Sequence, residues 1–144
     1  MWLSWHPDGT RVATAADGLI RIWDSRSLDM RLEIPMPNHF FDNSELRYSP
    51  DGKRLATANE NALFVWDAES GKMLAKLDEI GEDFRSLDWS PDGRMLAAST
   101  YFSTSVWNTE HYRLAIKFRI GAWQVRWAPD GLRLGLSTKN QLAG

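Results

Sequence analysis

The chain has 144 residues, 25% of them charged and 43% hydrophobic, and a formal net charge of −2. That length holds one ordinary domain with a sizeable core, and so small a charge gives no electrostatic footprint for nucleic acid or an anionic membrane. The chain has no cysteine, which excludes a disulfide framework, a thiolate zinc site and a cysteine nucleophile; it fits a reducing compartment, so a cytoplasmic location is the favoured expectation.

In chain order, residues 2–5, 11–15, 19–23 and 28–34 read as four short strands. The first pair is joined by Pro7-Asp8-Gly9. Proline presets the first corner of a tight turn, aspartate bonds back to the local backbone, and glycine accepts positive φ. An irregular loop, 35–43, follows. A second set of strands is then expected at 45–49, 54–58, 63–66 and 73–77, with turns at Pro50-Asp51-Gly52, 59–61 and 68–72. A third is expected at 84–89, 95–99, 104–107 and 112–118, and two more strands at 123–127 and 132–137.

The pattern is a repeat. The prolines of the Pro-Asp-Gly turns at 7, 50, 91 and 129 are spaced 43, 41 and 38 residues apart. Trp23-Asp24, Trp66-Asp67 and Trp107-Asn108 each fall 16 residues after their proline. A period of roughly 40–45 residues carrying four strands signals propeller blades. Four Pro-Asp-Gly breaks argue against helices. The expected fold is therefore all-β, about three and a half four-stranded blades at 1–34, 44–77, 83–118 and 122–138, forming an open or partial propeller.

SPDGKRLATANENALFVWDAESGKML (49–74) and HPDGTRVATAADGLIRIWD (6–24) resemble the WD40-repeat family. The segments around Trp89 to Arg94 and Trp127 to Gly131 are also similar to TolB-like propeller repeats, but the in-phase Trp23-Asp24 and Trp66-Asp67 favour WD40. The resemblance implies a structural polar network within each blade. The second blade offers His39, Thr57 and Trp66, with Glu60 where an Asp belongs; the first offers Thr14, Asp17 and Trp23. The third keeps Trp107 but has Ala98, Tyr101 and Ile80 at the other positions, so no blade is expected to hold a complete network. A closed propeller needs about 4–8 blades, so the chain is expected to be a truncated piece of a larger propeller, with ring assembly from several copies as the alternative.

No reaction centre emerges. His6 is expected as a solvated turn residue, His39 as structural and His111 as exposed, and none pairs with another at metal-ligand spacing. Asp78, Glu79, Glu82 and Asp83 lack a calcium-loop pattern, and turn geometry accounts for Asp8, Asp51, Asp92 and Asp130. No serine sits in a Gly-x-Ser-x-Gly setting and there is no Gly-rich phosphate loop. Arg21, Arg26 and Arg31 are interleaved with Asp24, Asp29 and Glu33, which argues against a phosphate patch. No run approaches the ~20 apolar residues of a membrane span, and MWLSWHPDG lacks the basic and apolar regions of a secretion signal.

The expectation is a non-catalytic scaffold with no cofactor or metal. The WD40 resemblance implies a protein or peptide partner, and exposed blade faces leave self-association open; nucleic acid and membrane are not expected. The alternative is the propeller portion of a larger enzyme or signalling protein. Loops carry the candidate contacts. Phe40 and Phe41 could anchor a partner or fold onto the blade top, and Tyr101-Phe102, replacing a polar turn, is a second patch.

Overall fold

The computed structural model describes residues 1–37, 45–59, 62–78 and 83–138. Among them are fourteen strands and no helix: β1 (Trp2–Trp5), β2 (Arg11–Ala16), β3 (Leu19–Asp24), β4 (Met30–Pro35), β5 (Glu45–Tyr48), β6 (Arg54–Ala58), β7 (Ala62–Asp67), β8 (Met73–Asp78), β9 (Ser86–Trp89), β10 (Met95–Ser99), β11 (Thr104–Asn108), β12 (Arg113–Phe118), β13 (Gln124–Trp127) and β14 (Leu134–Ser137). They form three four-stranded antiparallel sheets in sequence order and one two-stranded sheet, β13–β14. The sheets make an open, partial β-propeller, with the first strands side by side along its concave edge: β1 against β5, β5 against β9, β9 against β13.

The Pro-Asp-Gly turns set the first hairpin of every blade. Gly9, Gly52, Gly93 and Gly131 have φ of 75°, 73°, 73° and 71°, the left-handed corner of a type I turn with a glycine bulge. Asp8, Asp51, Asp92 and Asp130 each accept the backbone N–H two residues on, at 2.8–3.0 Å. In blades two and three a serine before the proline doubles the clasp: Ser49 donates to Asp51 at 2.6 Å and accepts from Arg54 N–H, and Ser90 does the same with Asp92 and Met95.

The turn between third and fourth strands explains the Trp-Asp signature. Asp24 Oδ1 accepts the N–H of Arg26 and Ser27, and Asp67 Oδ1 those of Glu69 and Ser70. Asn108 accepts that of Glu110 with the same atom. These turns need a left-handed residue before the fourth strand. Blade two supplies Gly71 (φ 75°), but blades one and three use Leu28 (φ 61°) and Tyr112 (φ 53°). That geometry corrects two expected strands: β4 starts at Met30 and β12 at Arg113, because Leu28 and Tyr112 belong to turns. Phe84, Trp123 and Leu132 likewise lie outside strands, and β4 and β8 each run one residue beyond the expected blade end.

Blades stack through apolar faces. Ala13, Ile20, Ile22 and Ile34 of blade one meet Leu46, Tyr48, Leu55, Phe64 and Trp66 of blade two. Ala56, Leu63, Val65 and Leu77 then meet Phe84, Leu87, Trp89, Leu96 and Trp107 of blade three. Small alanines on one side accept large rings on the other, which is how sheets interdigitate at close-packed density. Val125 continues the stack onto Ala97 and Val106. Beyond β14 the outer half of blade three is uncovered, and Leu114, Ile116 and Phe118 of β12 are exposed.

His6 departs from its expected role. Its ring is mostly buried, edge-on to Tyr48 at 5.1 Å, and lies where a Cβ on Gly52 would sit. It fills the seam between blades one and two. His111 is exposed beside Glu110.

Candidate functional site

The first strands expose alternate backbone N–H groups at the concave edge, and each such group needs an acceptor. For four of these groups the preceding blade supplies it. Ser4 Oγ accepts Tyr48 N–H at 3.1 Å, and Glu45 Oε2 accepts Leu87 N–H at 2.7 Å. Ser86 Oγ accepts Val125 N–H at 3.3 Å, and Asp88 Oδ2 accepts Trp127 N–H at 2.8 Å. Burial pushes the Asp88 carboxyl up, with the Trp127 N–H working against that shift. The four acceptors sit three or five residues before a Pro-Asp-Gly proline. The strand edge is thus stitched blade to blade by side chains.

The same edge concentrates charge. Glu45 is buried on β5, and its Oε1 accepts from Arg47 at 3.0 Å and from Arg126, on β13, at 3.1 Å. Around these residues lies a cleft of about 470 Å³ whose walls include Trp2, Trp5, Arg47, Arg85, Trp123 and Arg126.

At one mouth of this cleft is an aromatic cluster built from two turns. Thr100 Oγ1 accepts the N–H of Phe102 and Ser103, and Thr100 N–H donates to Ser103 O, which holds Tyr101 and Phe102 outward. Segment 120–123 is fastened alongside: Ala122 N–H donates to Thr100 O and Thr104 Oγ1 to Ile120 O. Gly121 passes so near that an added Cβ would overlap the Tyr101 carbonyl. Trp123 is brought edge-on to Tyr101, 5.4 Å between centroids. The Arg85 guanidinium lies 3.1 Å from the Tyr101 ring centre and 4.2 Å from that of Trp123. Tyr101, Phe102 and Trp123 remain 53%, 71% and 44% exposed.

Within the blades, Trp23 Nε1 donates to Thr14 Oγ1 at 3.0 Å and Trp66 Nε1 to Thr57 Oγ1 at 3.1 Å. A family model described as WD domain, G-beta repeat matches residues 1–24 and 71–108. These two segments match WD40 repeats. No curated protein matches it. WD40 repeats generally act as non-catalytic scaffolds and typically bind proteins.

Of the WD40 positions read from the sequence, Thr14 with Trp23 and Thr57 with Trp66 come together. Asp17 does not join them: it is exposed, at φ 54°, beside Gly18 in the two-residue β2–β3 hairpin. Two successive positive φ angles make that a type I′ turn. Trp107 is buried against Phe84 and pairs across the strands with Leu96; Ala98, at the diagonal position Thr57 holds in blade two, has no hydroxyl to offer. His39, Phe40, Phe41 and Glu60, with Glu79 and Glu82 of the acidic loop, lie outside the described residues. Arg21 and Arg31 are ion-paired with Glu33 and Asp24, each at 2.9 Å. Among the described residues no three His, Asp or Glu side chains gather as a metal site.

Sequence reasoning singled out Tyr101 and Phe102 but missed Arg85 and Trp123. A signal existed: both lie six residues before their Pro-Asp-Gly proline, in one repeat phase. It shows only when the WD40 repeats are aligned for what flanks the first strand, and not just for the motif.

Proposed function

We propose that this chain is part of a larger WD40 propeller protein and serves as a non-catalytic scaffold for protein–protein interaction. The observation that carries the reading is the exposed set Tyr101, Phe102 and Trp123, held by tight turns at the mouth of the concave cleft. Rigid aromatic side chains around a cleft are the usual anchors of protein contacts. The test is proximity labelling in cells with the full-length protein, wild type against a Tyr101→Ser, Phe102→Ser double variant of matched expression. Loss of a defined set of neighbours in the variant is expected. Identical neighbour sets would overturn this surface as the contact, and substrate turnover dependent on residues of this segment would favour a propeller belonging to an enzyme.

Self-association is a second reading, and one observation favours it. Leu3 and Trp5 are 54% and 58% exposed on the blade-one face whose counterparts in blade two, Leu46 and Tyr48, are buried against the preceding blade. Light scattering after size exclusion decides it. A discrete oligomer that a Leu3→Glu, Trp5→Glu variant reduces to monomer is the expected signature; a monomer throughout removes the reading.

A further inference from the structure

We infer that Arg85 is an acidic-residue receptor: the Tyr101–Trp123 platform presents its guanidinium to a Glu or Asp side chain of a partner's extended segment. The inference rests on the protein-interaction reading and names the chemistry of the partner.

Three arginines line the cleft, and they differ in one respect. Arg47 and Arg126 share Glu45. Arg85 has no carboxylate partner among the described residues, and its Nε is buried without a hydrogen bond. The Tyr101 ring lies against the guanidinium at 3.1 Å, and the Trp123 ring, set at 74° to that of Tyr101, closes on the group from the side at 4.2 Å. These contacts strip water from part of the group, and with Nε buried its Nη–H donors are left to present one edge to a partner. A planar, bidentate oxyanion fits such an edge, because carboxylate and guanidinium match fork to fork. The rings also fix the orientation, so little side-chain entropy is lost when the anion binds.

The surroundings select a peptide over a free small anion. Phe102 lies beyond Tyr101, and Trp2 is on the cleft wall, both exposed. A small carboxylate would leave these apolar surfaces wet. An acidic residue flanked by apolar side chains would cover them. Among the described residues the three arginines of the wall face the carboxylates of Glu45 and, near Arg47 and Arg126, Asp88, a positive balance that attracts negative charge.

The test is selection from a short-peptide display library by the full-length protein, wild type and Arg85→Gln, with Arg85→Lys as a third bait. Equal melting temperatures and circular dichroism establish that each bait is folded. Peptides enriched by wild type should carry Glu or Asp at one position between apolar residues. Replacing that residue by Gln should weaken binding about tenfold or more, the scale of one charge-assisted bidentate contact. Arg85→Gln should erase the difference between Glu and Gln peptides, and Arg85→Lys, which keeps the charge but not the fork, should recover only part of it. A selected consensus without an acidic residue, or a preference that survives Arg85→Gln, overturns the inference while leaving the scaffold reading standing. So does a phosphoserine peptide that outcompetes its Glu counterpart, or sodium acetate that displaces the tracer at the peptide's own affinity. If no peptide is enriched, the inference falls, and the scaffold reading is judged by the labelling experiment alone.

Discussion

Trp66 donates its indole N–H to the hydroxyl of Thr57 at 3.1 Å, with both residues almost wholly buried between blades. Thr57→Val keeps the shape and removes the acceptor. Leaving a buried donor unpaired costs about 1–3 kcal/mol. Thr14→Val, at the half-buried Trp23 pair, should cost less, because water can reach that indole. Urea denaturation of both variants checks the order, and equal losses would contradict it.

Gly52 lies where two constraints meet: its φ is 73° and the His6 ring occupies the space a Cβ would take. Gly52→Ala should destabilise by about 2–4 kcal/mol, from the left-handed penalty and the overlap together. In a His6→Ala background the overlap disappears and the penalty should fall to about 1–2 kcal/mol. A double-mutant cycle measures the coupling; a cycle that closes to zero would place His6 elsewhere.

Leu28 is 71% exposed and held at φ 61°, where blade two has glycine. Leu28→Gly should raise stability by about 0.5–1 kcal/mol, since relief of left-handed strain outweighs the added freedom of the unfolded chain. The reverse change, Gly71→Ala, should lower it, because its Cβ would also press on Ile34 at 3.1 Å. Thermal melts of the two variants should move in opposite directions.

Glu45 is a shared counter-ion. Glu45→Ala strands the Leu87 N–H and takes the carboxylate from both arginines, while Arg126 keeps its hydrogen bonds to Ser86, Leu87 and Val125. The loss should be about 2–3 kcal/mol, below that of a fully buried ion pair because both guanidiniums are partly exposed to water. Glu45→Gln should cost less, since one amide oxygen still serves the Leu87 N–H. A denaturation series that ranks Gln below Ala would be inconsistent with this arrangement.

Acid should loosen the turns. The Thr10 hydroxyl and backbone N–H hold Asp8 down at about 2, and turn amides hold Asp24, Asp67, Asp92 and Asp130 below the usual carboxylate range. A carboxyl whose folded value lies below its unfolded value stabilises the protein above the unfolded value, near 3.8, and loses that contribution as pH falls through the folded one. Melting temperature should therefore drop as pH goes from 5 towards 2, with sulfate-free buffers used throughout. Asp67→Asn keeps the acceptor oxygen, as Asn108 does in blade three, so it should flatten the acid limb and leave the neutral-pH turn intact. An unchanged slope would mean Asp67 contributes nothing to it.

The sequence made some of this legible and hid the rest for a physical reason. The Pro-Asp-Gly and Trp-Asp marks are local, set by turn chemistry within a few residues of Gly52 or Asp67, so period, strand order and sheet type could be read directly. Trp66 with Thr57 was readable because both lie in one blade. His6 was not, because its partners Tyr48 and Gly52 belong to the next blade. Arg85 was hidden for the same cause: its rings come from one loop within its own blade and another beyond it, and nothing near residue 85 announces either. Leu28 and Tyr112 misled for the opposite reason. Their β-compatible side chains suggested strand, while the backbone of the turn required left-handed geometry.

The stitching of the concave edge has a direction. Ser4 serves Tyr48, Glu45 serves Leu87, Ser86 serves Val125 and Asp88 serves Trp127; in each bond the acceptor precedes its donor by about forty residues. A ribosome therefore delivers every acceptor before the amide that needs it. Each newly emerged strand finds its docking oxygens already displayed on folded chain, and the propeller can zip forward during translation without waiting for sequence still to be made.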